Sequence, residues 1–518
     1  MSQKTILAID NGTQSLRAIL FDLSGNIIAK SQVPLLDAYF SDQADWNEQH
    51  PHHFWDSLCR ACNNLWQDLK VNRDSIQAVA VTTMRNTVIN LDESGESLRP
   101  AIIWTDKRKV KNIKPISGLW KYAFKIAGVE NTIQNFQASC QAAWIAENQP
   151  EIWRKTHKYL LLSGYLNFKL TGEYKDSLAS QVAYIPFDYK HHQWAKDGDW
   201  KWQAAPIEKN KLPELVKPGE LIGKISEAAA LATGLPKNIA VIAAGADKSS
   251  EVLGSGCIQD NQACLSYGTT ATINVTSSKY IEPIKFVPPY PSNVSNAYTI
   301  EYQIYRGYWM VSWFKEQFGH LERDLSEKMG VATEQLFDES VIDIPPGSEG
   351  LMLQPYWSPG VKIPGPEARG AIIGFSDVHT RAHVYRAILE GIAYGLRDGM
   401  ESIEKRTKQP MKELIVSGGG SQSSVAMQLT ADIFNMPAIR PHTYETSALG
   451  AAINAAVGIG VYSDYQEAVA AMCRHGETFE PIAENVALYE RLYQDGYKKM
   501  YKQLKPIYSA FRNLLGAS

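Results

Sequence analysis

Residues 5–22 read TILAIDNGTQSLRAILFD, and residues 262–275 read QACLSYGTTATINV. In each stretch an apolar run enters a short turn that contains Gly-Thr and leaves as a second apolar run, which predicts a β-hairpin. After the first hairpin, IIAKSQV at residues 27–33 predicts a third strand. A pattern that opens both halves of a chain is typical of a duplicated fold with a cleft between the copies. We expect two domains, residues 1–252 and residues 253–518.

The rest of the chain alternates between strand and helix patterns. Continuous apolar runs at residues 77–83 (QAVAVTT) and 239–247 (IAVIAAGAD) are typical of strands buried on both faces. A helical pattern opens at Pro51, and about the last 60 residues are expected to be helical. Residues 186–220 show no clear period and predict a surface segment. This alternation indicates an α/β chain.

Composition and charge exclude several classes of protein. The 518 residues are 44% hydrophobic and 21% charged, so the chain can bury a sizeable core and is not globally disordered. The 52 Lys and Arg residues nearly balance the 55 Asp and Glu residues, which gives a net charge of −3. This balance argues against a protein that coats nucleic acid or an anionic membrane.

The sequence also bears on cellular location. The apolar run near the amino terminus is too short for a signal peptide, and the small-residue stretch at 447–462 is too short to span a membrane. The six cysteines, of which Cys59 and Cys62 form one C-x-x-C, do not make a disulfide framework. These features predict a reducing, cytoplasmic location without a membrane partner.

The turn of the first hairpin carries the pattern D-N-G-T-Q-S-x-R, from Asp10 to Arg17. Glycine at the tip lets backbone N–H groups approach a phosphate, and Thr13, Gln14 and Ser15 add side-chain donors. Arg17 adds positive charge, and Asp10 at the strand end can hold Mg²⁺ directly or through water. An ordinary hairpin turn is the alternative interpretation.

Two glycine turns in the second half have similar chemistry. Tyr267–Thr270 reads Y-G-T-T at the tip of the second hairpin, and Ser417–Ser421 reads S-G-G-G-S between a strand and a helix. Glycines permit close approach of a ligand, and a helix N-terminus favours negative charge. Neither turn has the P-loop or the dinucleotide-binding spacing. The turn at Tyr267–Thr270 and the first hairpin could contact one triphosphate across a cleft. Tight structural turns are the alternative interpretation of both glycine turns.

Asp247 ends the buried run that closes on A-G-A-D. A carboxylate at a strand terminus beside a cleft can accept a proton from a hydroxyl. The alternative is that Asp247 caps the helix that follows.

Taken together, these segments resemble the FGGY carbohydrate kinases, ATP-dependent kinases of sugars and polyols. The resemblance covers roughly residues 4–460 and rests on these segments: AIDNGTQSLRA (8–18), VTTMRNTVINLDESGESLRPAIIWTDKR (81–108), AGADKSSEVLGSG (244–256), SYGTT (266–270), GAIIGFSDVHTRAHVYRAILEGIAY (370–394) and SGGGSQSSVAMQLTADIFNMP (417–437). It implies the duplicated actin-like, ribonuclease H-like α/β fold. The family's N-terminal signature is poorly matched, with Gln141 in place of its usual lysine. The chain therefore resembles an atypical branch, between glycerol kinases and xylulokinases.

The resemblance implies a role for each matching residue. Asp247 would be the catalytic base, and Asp10 would bind Mg²⁺. The residues expected to contact ATP are Thr13, Gln14, Ser15, Arg17, Gly268, Thr269, Gly419, Gly420 and Ser424. The residues expected to contact or support the substrate are Arg85, Asn86, Trp104, Asp106, Asp247 and Lys248. The N-terminal domain would then hold the sugar and the base, and the C-terminal domain the nucleotide.

The resemblance implies a cytoplasmic enzyme that transfers the γ-phosphate of ATP to a hydroxyl of a small sugar or polyol with the help of Mg²⁺. A homodimer is compatible with it. A non-catalytic, nucleotide- or sugar-responsive regulatory protein is the alternative, although such a protein would not need Asp247. A chaperone-type ATPase would need a protein-binding appendage, which the sequence does not show. Glycerol, xylulose, ribulose, an aldonate and a deoxyketose all stay open as substrates, while the pair Arg85-Asn86 favours a neutral, hydroxyl-rich one.

Overall fold

The computed structural model describes residues 4–35, 38–69, 71–360 and 364–515. The strands of the first half are β1 (Thr5–Asn11), β2 (Ser15–Asp22), β3 (Ile27–Pro34), β4 (Glu48–Gln49), β5 (Ile76–Thr83), β6 (Val88–Leu91), β7 (Ala101–Ile102), β8 (Lys158–Leu161), β9 (Lys175–Ser177), β10 (Phe187–Asp188), β11 (Gln193–Trp194), β12 (Glu214–Val216), β13 (Leu221–Lys224) and β14 (Ala240–Ala246). Its helices are α1 (Pro51–Leu65), α2 (Leu119–Ala127), α3 (Glu130–Ala138), α4 (Gln141–Asn148), α5 (Pro150–Lys155), α6 (Leu162–Thr171), α7 (Lys201–Ala204), α8 (Glu227–Thr233) and α9 (Asp247–Gly254).

The elements of the second half follow in the same way. Its strands are β15 (Gln262–Tyr267), β16 (Ala271–Ser277), β17 (Tyr290–Pro291), β18 (Tyr298–Ile304), β19 (Met352–Gln354), β20 (Ala371–Ile373), β21 (Glu413–Ser417), β22 (Ala438–Pro441) and β23 (His475–Phe479). Its helices are α10 (Trp309–Phe318), α11 (His320–Met329), α12 (Thr333–Ser340), α13 (Arg381–Thr407), α14 (Ser424–Phe434), α15 (Thr446–Gly458), α16 (Tyr465–Met472), α17 (Ala483–Arg491) and α18 (Lys498–Leu515).

The two large sheets repeat one topology. The first has the order β3-β2-β1-β5-β14-β13, and the second has the order β17-β18-β16-β15-β21-β22-β23. In the first, β1, β2 and β3 form an antiparallel meander, and β5 and β14 join parallel to β1 and to β5 respectively. In the second, β15, β16 and β18 form the meander, and β21 and β22 are the parallel strands. The duplication predicted from the two hairpins is therefore present in the structure.

Strand β1 is buried along its whole length because helices cover both faces of the first sheet. Leu7 and Ile9 point into a core shared with α1 and α6. The alternate residues Ile6 and Ala8 point into a core shared with α15 and α16. Successive side chains of a strand point to opposite faces, so an uninterrupted apolar run fits a strand covered on both sides.

Helix α15 comes late in the chain but packs against the first sheet, beside α9. The helices approach so closely that a methyl group on Gly450 would lie 1.9 Å from the carbonyl oxygen of Ser250, and one on Gly254 would lie 1.9 Å from that of Thr446. The carboxyl-terminal part of the chain thus supports the helix that begins at Asp247. The predicted domain boundary at residue 252 stays a prediction, because the chain returns to the first sheet after it.

Two sequence-based expectations about local structure were wrong. The tail contains the edge strand β23, which pairs with β22, in addition to helices. The segment 186–220 is not a surface segment, since Phe187, Ala205 and Leu212 lie in a buried core with Trp144. Both segments depend on tertiary pairing rather than on a local hydrophobic period.

Replacing Gly450 with alanine is expected to destabilise the protein by about 1–3 kcal/mol, because the added methyl group has no space between α9 and α15. Thermal unfolding of the purified variant measures the loss. Gly419→Ala is the matched control, since no described atom lies within 4 Å of the methyl group added there. Equal unfolding midpoints for the two variants would contradict this packing.

Candidate active site

The parallel strands of the first sheet end together and present three functional side chains at one edge. Asn11 pairs with Thr83 in β5, and Ala246 in β14 pairs with the same residue. Asp10 lies at the end of β1, Arg85 lies two residues after β5, and Asp247 follows β14 directly. The carboxyl ends of parallel strands in open α/β sheets are the usual position of ligand sites.

The second sheet presents its two glycine turns in the same way. Ser266 of β15 pairs with Ser417 of β21, so the turns that follow these strands lie side by side. Gly418 has a φ of +83°, and a methyl group there would lie 2.9 Å from the backbone of Tyr267. Glycine is therefore required where the two turns meet.

The two sheet edges face each other across a crevice of about 1340 Å³, which residues of both halves line. The lining includes these residues singled out from the sequence: Thr13, Gln14, Ser15, Arg17, Arg85, Asn86, Trp104, Asp247, Lys248, Gly268, Thr269, Gly419, Gly420 and Ser424. Asp10 is not among the residues that line the crevice. It accepts a hydrogen bond from Arg17, which does line the crevice. The structure thus brings together most of the predicted site and leaves Asp10 and Asp106 out of the lining.

The turn of the first hairpin is held by a hydrogen bond within it and by two hydrogen bonds from residues outside it. The backbone N–H of Gly12 donates to the carbonyl oxygen of Ser15 at 3.1 Å, which closes the turn. The indole Nε1 of Trp104 donates to Thr13 Oγ1 at 2.8 Å, and the Tyr39 hydroxyl donates to the Thr13 carbonyl oxygen at 2.7 Å. Trp104 therefore orients the predicted phosphate-binding turn.

Arg17 links Asp10 to the second half of the chain. Its Nη1 lies 3.3 Å from Asp10 Oδ2 and 3.1 Å from Glu445 Oε2. The pKa of Asp10 is raised to about 7, because burial outweighs the lowering effect of Arg17 and the negative charge of Asp247 adds to the rise. An incoming cation would stabilise the ionised form of such a carboxylate.

At the turn Ser417–Ser421, the main chain of Gly419 and Gly420 faces the crevice without side chains. No described atom lies within 4 Å of where a methyl group on Gly419 would be. A methyl group on Gly420 would collide with the ring of Tyr308, which stacks on Tyr267 at 4.6 Å between ring centroids. A flat ligand or a phosphate can therefore approach the main chain here.

Asp247 is the first residue of α9, and its side chain is 28% exposed to the crevice. Burial raises the pKa of its carboxyl group, while Arg85 and Lys248 lower it. The backbone N–H of Lys248 donates to Asp247 Oδ1 at 2.8 Å. This hydrogen bond engages one carboxylate oxygen and fixes the orientation of the group.

Lys248 is held between the two halves. Its Nζ lies 2.9 Å from Glu251 Oε2 and donates a hydrogen bond to Ser266 Oγ. Burial lowers the pKa of the Lys248 amine. The negative charges of Glu251 and Asp247 raise it by more, so the pKa lies above its usual value. Lys248 thus stays charged next to Gly268, whose added methyl group would lie 3.7 Å from Nζ.

Arg85 extends into the crevice toward the second sheet. Its Nη1 lies 2.9 Å from Glu301 Oε1, its Nε lies 4.0 Å from Asp247 Oδ1, and its guanidinium covers the Tyr290 ring at 4.9 Å. Asn86 has a φ of +51°, a strained value for a residue other than glycine. Sequence reasoning missed Glu301 and Tyr290, which lie on strands without any recognisable motif.

Asp106 is buried and accepts hydrogen bonds from neighbouring residues. Both of its oxygens accept hydrogen bonds from Arg108, at 2.8 and 2.7 Å, and one also accepts the backbone N–H of Asn47 at 2.7 Å. The side chains of Asp106 and Arg108 are each 2% exposed. Since Arg108 also lies 2.8 Å from Glu48, the group forms a buried network. We therefore assign Asp106 to holding the segment around Trp104 and not to contact with a substrate.

Comparisons with known proteins agree with this arrangement. Two family profiles match the chain: the N-terminal domain of the FGGY family of carbohydrate kinases over residues 5–254, and the C-terminal domain of the same family over residues 263–459. The chain belongs to the FGGY family of carbohydrate kinases. It is therefore a kinase that acts on an alcohol group, and the resemblance drawn from the sequence is confirmed.

Individual relatives of this kinase align along its whole length. An uncharacterized sugar kinase, YgcE, from Escherichia coli is 30% identical and covers 100% of this chain and 98% of its own. A xylulose kinase from Lactococcus lactis is 29% identical and covers 97% of each chain. The crystal structure of xylulose kinase from Rhodospirillum rubrum superposes with a TM-score of 0.80 at 24% identity, covering 98% of this chain and 100% of its own. The predicted actin-like fold is confirmed.

Membership in this family implies a small-molecule carbohydrate substrate and a nucleotide as phosphate donor. In the described part of the kinase, no helix combines the length and apolar character needed to cross a membrane.

Replacing Asp106 with alanine is expected to cost about 3 kcal/mol of stability, because it leaves the buried Arg108 without its main partner. The Michaelis constant for the carbohydrate is expected to stay unchanged. Asp197→Ala is the matched control, since Asp197 pairs with Lys209 but is 88% exposed, and surface pairs contribute little. An Asp106→Ala variant of normal stability whose Michaelis constant rises would contradict the structural role.

Proposed function

We propose that this kinase transfers the γ-phosphate of ATP to a hydroxyl of a small sugar or polyol, with Mg²⁺ and with Asp247 as general base. The observation that carries the proposal is the convergence of both hairpin turns, the triple-glycine turn and Asp247 on one crevice. Phosphoryl transfer depends mainly on positioning and charge stabilisation, and a site of this composition supplies both.

The chemistry of the second half fits a nucleotide. Gly419 and Gly420 line the crevice, with free space beside Gly419, and Ser423 caps the following helix by accepting the N–H of Ala426. Phosphates bind well at exposed main-chain N–H groups, such as those of a hairpin turn, and bare glycine backbone lets a flat ring approach closely. We assign the phosphates to the turns at Thr13 and Gly268, and the adenosine to the region of Gly419, Gly420 and Ser424.

Asp10 fits a magnesium ion that arrives with the nucleotide. Its buried carboxylate faces the negative charge of Asp247, which a divalent cation would offset. Among the described residues no group of three or more His, Cys, Asp or Glu could hold a metal ion. This matches Mg²⁺, which is usually bound by one or two carboxylates together with phosphates and water. When bound, the ion neutralises charge on the phosphates.

Asp247 fits the role of general base. Its Oδ1 already accepts the Lys248 N–H, which leaves Oδ2 for the proton of the attacking hydroxyl. Burial raises the pKa of this carboxyl group, and the positive charges of Arg85 and Lys248 offset part of that rise. Arg85, Asn86 and Lys248 would orient the acceptor so that one oxygen lies between Asp247 and the γ-phosphate.

The Asp247→Asn variant is expected to lose roughly 10²–10⁴-fold in kcat, because the amide cannot take the proton. ATP binding should persist, since the amide keeps the size of the side chain. A coupled ADP-release assay with a panel of sugars and polyols, together with calorimetric ATP binding, measures both. The exposed Asp260→Asn substitution is the control. Near-normal turnover by Asp247→Asn would remove Asp247 from the mechanism.

The pH profile tests the same assignment. A base must be deprotonated, so kcat/KM should fall as the pH drops through the pKa of Asp247, which burial raises above the ordinary 3.8. Removing Arg85 removes a positive charge that lowers this pKa, so Arg85→Gln should move the acid limb to higher pH. The control is Arg154→Gln, because the Arg154 side chain is 72% exposed. This variant should leave the acid limb at the wild-type pH. An acid limb that is unmoved or lower in Arg85→Gln would contradict the assignment.

A further inference from the structure

Arg85 and Glu301 form an ion pair between the two halves of the kinase. Arg85 follows β5 of the first sheet, Glu301 lies on β18 of the second, and they are 216 residues apart in the chain. The Nη1–Oε1 distance is 2.9 Å, and the side chains are 15% and 4% exposed. Both residues line the crevice. The second sheet thus contributes a carboxylate next to the predicted acceptor position.

Both partners keep hydrogen-bonding capacity that no described residue uses. The buried Nε and Nη2 of Arg85 have no hydrogen-bond partner among the described residues, and neither has Oε2 of Glu301. An unpartnered N–H group and an unpartnered carboxylate oxygen therefore belong to one ion pair in the wall of the crevice. A hydroxyl satisfies both, since its oxygen accepts and its hydrogen is donated, whereas a carboxylate only accepts.

The charges around Arg85 and Glu301 also favour a hydroxyl over a carboxylate as the ligand. The Arg85 guanidinium is shared by Glu301 and by Asp247, whose Oδ1 lies 4.0 Å from Nε. Lys248 is already paired with Glu251 at 2.9 Å. Two cations are therefore set against three carboxylates. A carboxylate on the acceptor would meet Glu301 as a like charge in a buried position, which is unfavourable.

We propose that Glu301 determines the specificity of this kinase for neutral acceptors. Together with Arg85 it binds a hydroxyl of the acceptor next to the hydroxyl that is phosphorylated, and it excludes acceptors with a carboxylate at that position. The inference rests on the proposed function and adds to it a substrate-contacting residue from the second sheet. Polyols and ketoses are accepted over aldonates of the same carbon skeleton.

Matched pairs of acceptors test the proposal: glycerol with glycerate, xylitol with xylonate, and glucitol with gluconate. The wild-type kinase should show a kcat/KM at least tenfold higher for the neutral member of the pair that it uses best. In Glu301→Gln the amide oxygen must face Arg85, so its N–H groups face the acceptor. This variant should lose about tenfold or more in kcat/KM on the neutral member through KM, and its preference over the aldonate should shrink.

Two further variants and two further measurements separate specificity from a structural effect. Glu301→Asp keeps the charge and should keep the preference for the neutral member. Glu327→Gln removes one charge from an exposed position of α11 and should behave like the wild type. The KM for ATP should be the same in Glu301→Gln and the wild type, and a cooperative thermal unfolding transition should show that the variant is folded. A fall in ATP affinity that equals the fall in acceptor affinity would overturn the proposal.

Failure of the inference can be told apart from failure of the proposed function. If the wild type phosphorylates no acceptor in any panel, the proposed function fails, and calorimetric binding of the same pairs still decides the inference. Neutral acceptors that bind the wild type tighter than the aldonates, with this difference reduced in Glu301→Gln, support it. A wild-type preference for the aldonate, or an unchanged preference in Glu301→Gln, overturns it.

Discussion

The parallel pairing of β1 with β5 and of β5 with β14 is the constraint on which the site depends. Their common register brings Asp10, Arg85 and Asp247 to one edge of the first sheet, although these residues are far apart in the chain. The same pairing between β15 and β21 brings two glycine turns together at the edge of the second sheet. Because the two edges face each other, Asp247 and the glycine turns line one crevice.

Charge is distributed so that the two halves hold each other in position. Arg17 of the first half reaches Glu445 of the second, and Arg85 of the first half reaches Glu301 of the second. Buried pairs of this kind add little net stability, because the loss of hydration offsets much of their attraction. Their effect is on geometry, since opening the crevice would separate opposite charges. The packing of α15 on α9 acts in the same direction by fixing the helix that begins at Asp247.

Much of the fold and of the site could be predicted from the sequence, because both rest on local patterns. The apolar runs predicted the buried strands, and the glycine turns with Asp247 predicted the lining of the crevice. Glu301 and Glu445 could not be predicted, since their partners lie 216 and 428 residues away in the chain and only tertiary pairing brings them together. Strand β23 was missed because its residues are mostly exposed and polar, without the alternation that marks a strand. Asp106 was expected from the resemblance to contact or support the substrate, and the structure places it outside the crevice lining, buried beside Arg108.

The central claim is that the acceptor hydroxyl, Asp247 and the γ-phosphate meet at one point in the crevice. A crystal structure of the complex with Mg²⁺, a non-hydrolysable ATP analogue and the best acceptor tests it most directly. The account predicts one acceptor oxygen within about 2.6–3.2 Å of an Asp247 carboxylate oxygen, in line with the γ-phosphate. It also predicts that the phosphates lie between the turns at Thr13 and Gly268. An analogue bound elsewhere, or an acceptor out of reach of Asp247 in the closed complex, would contradict the account.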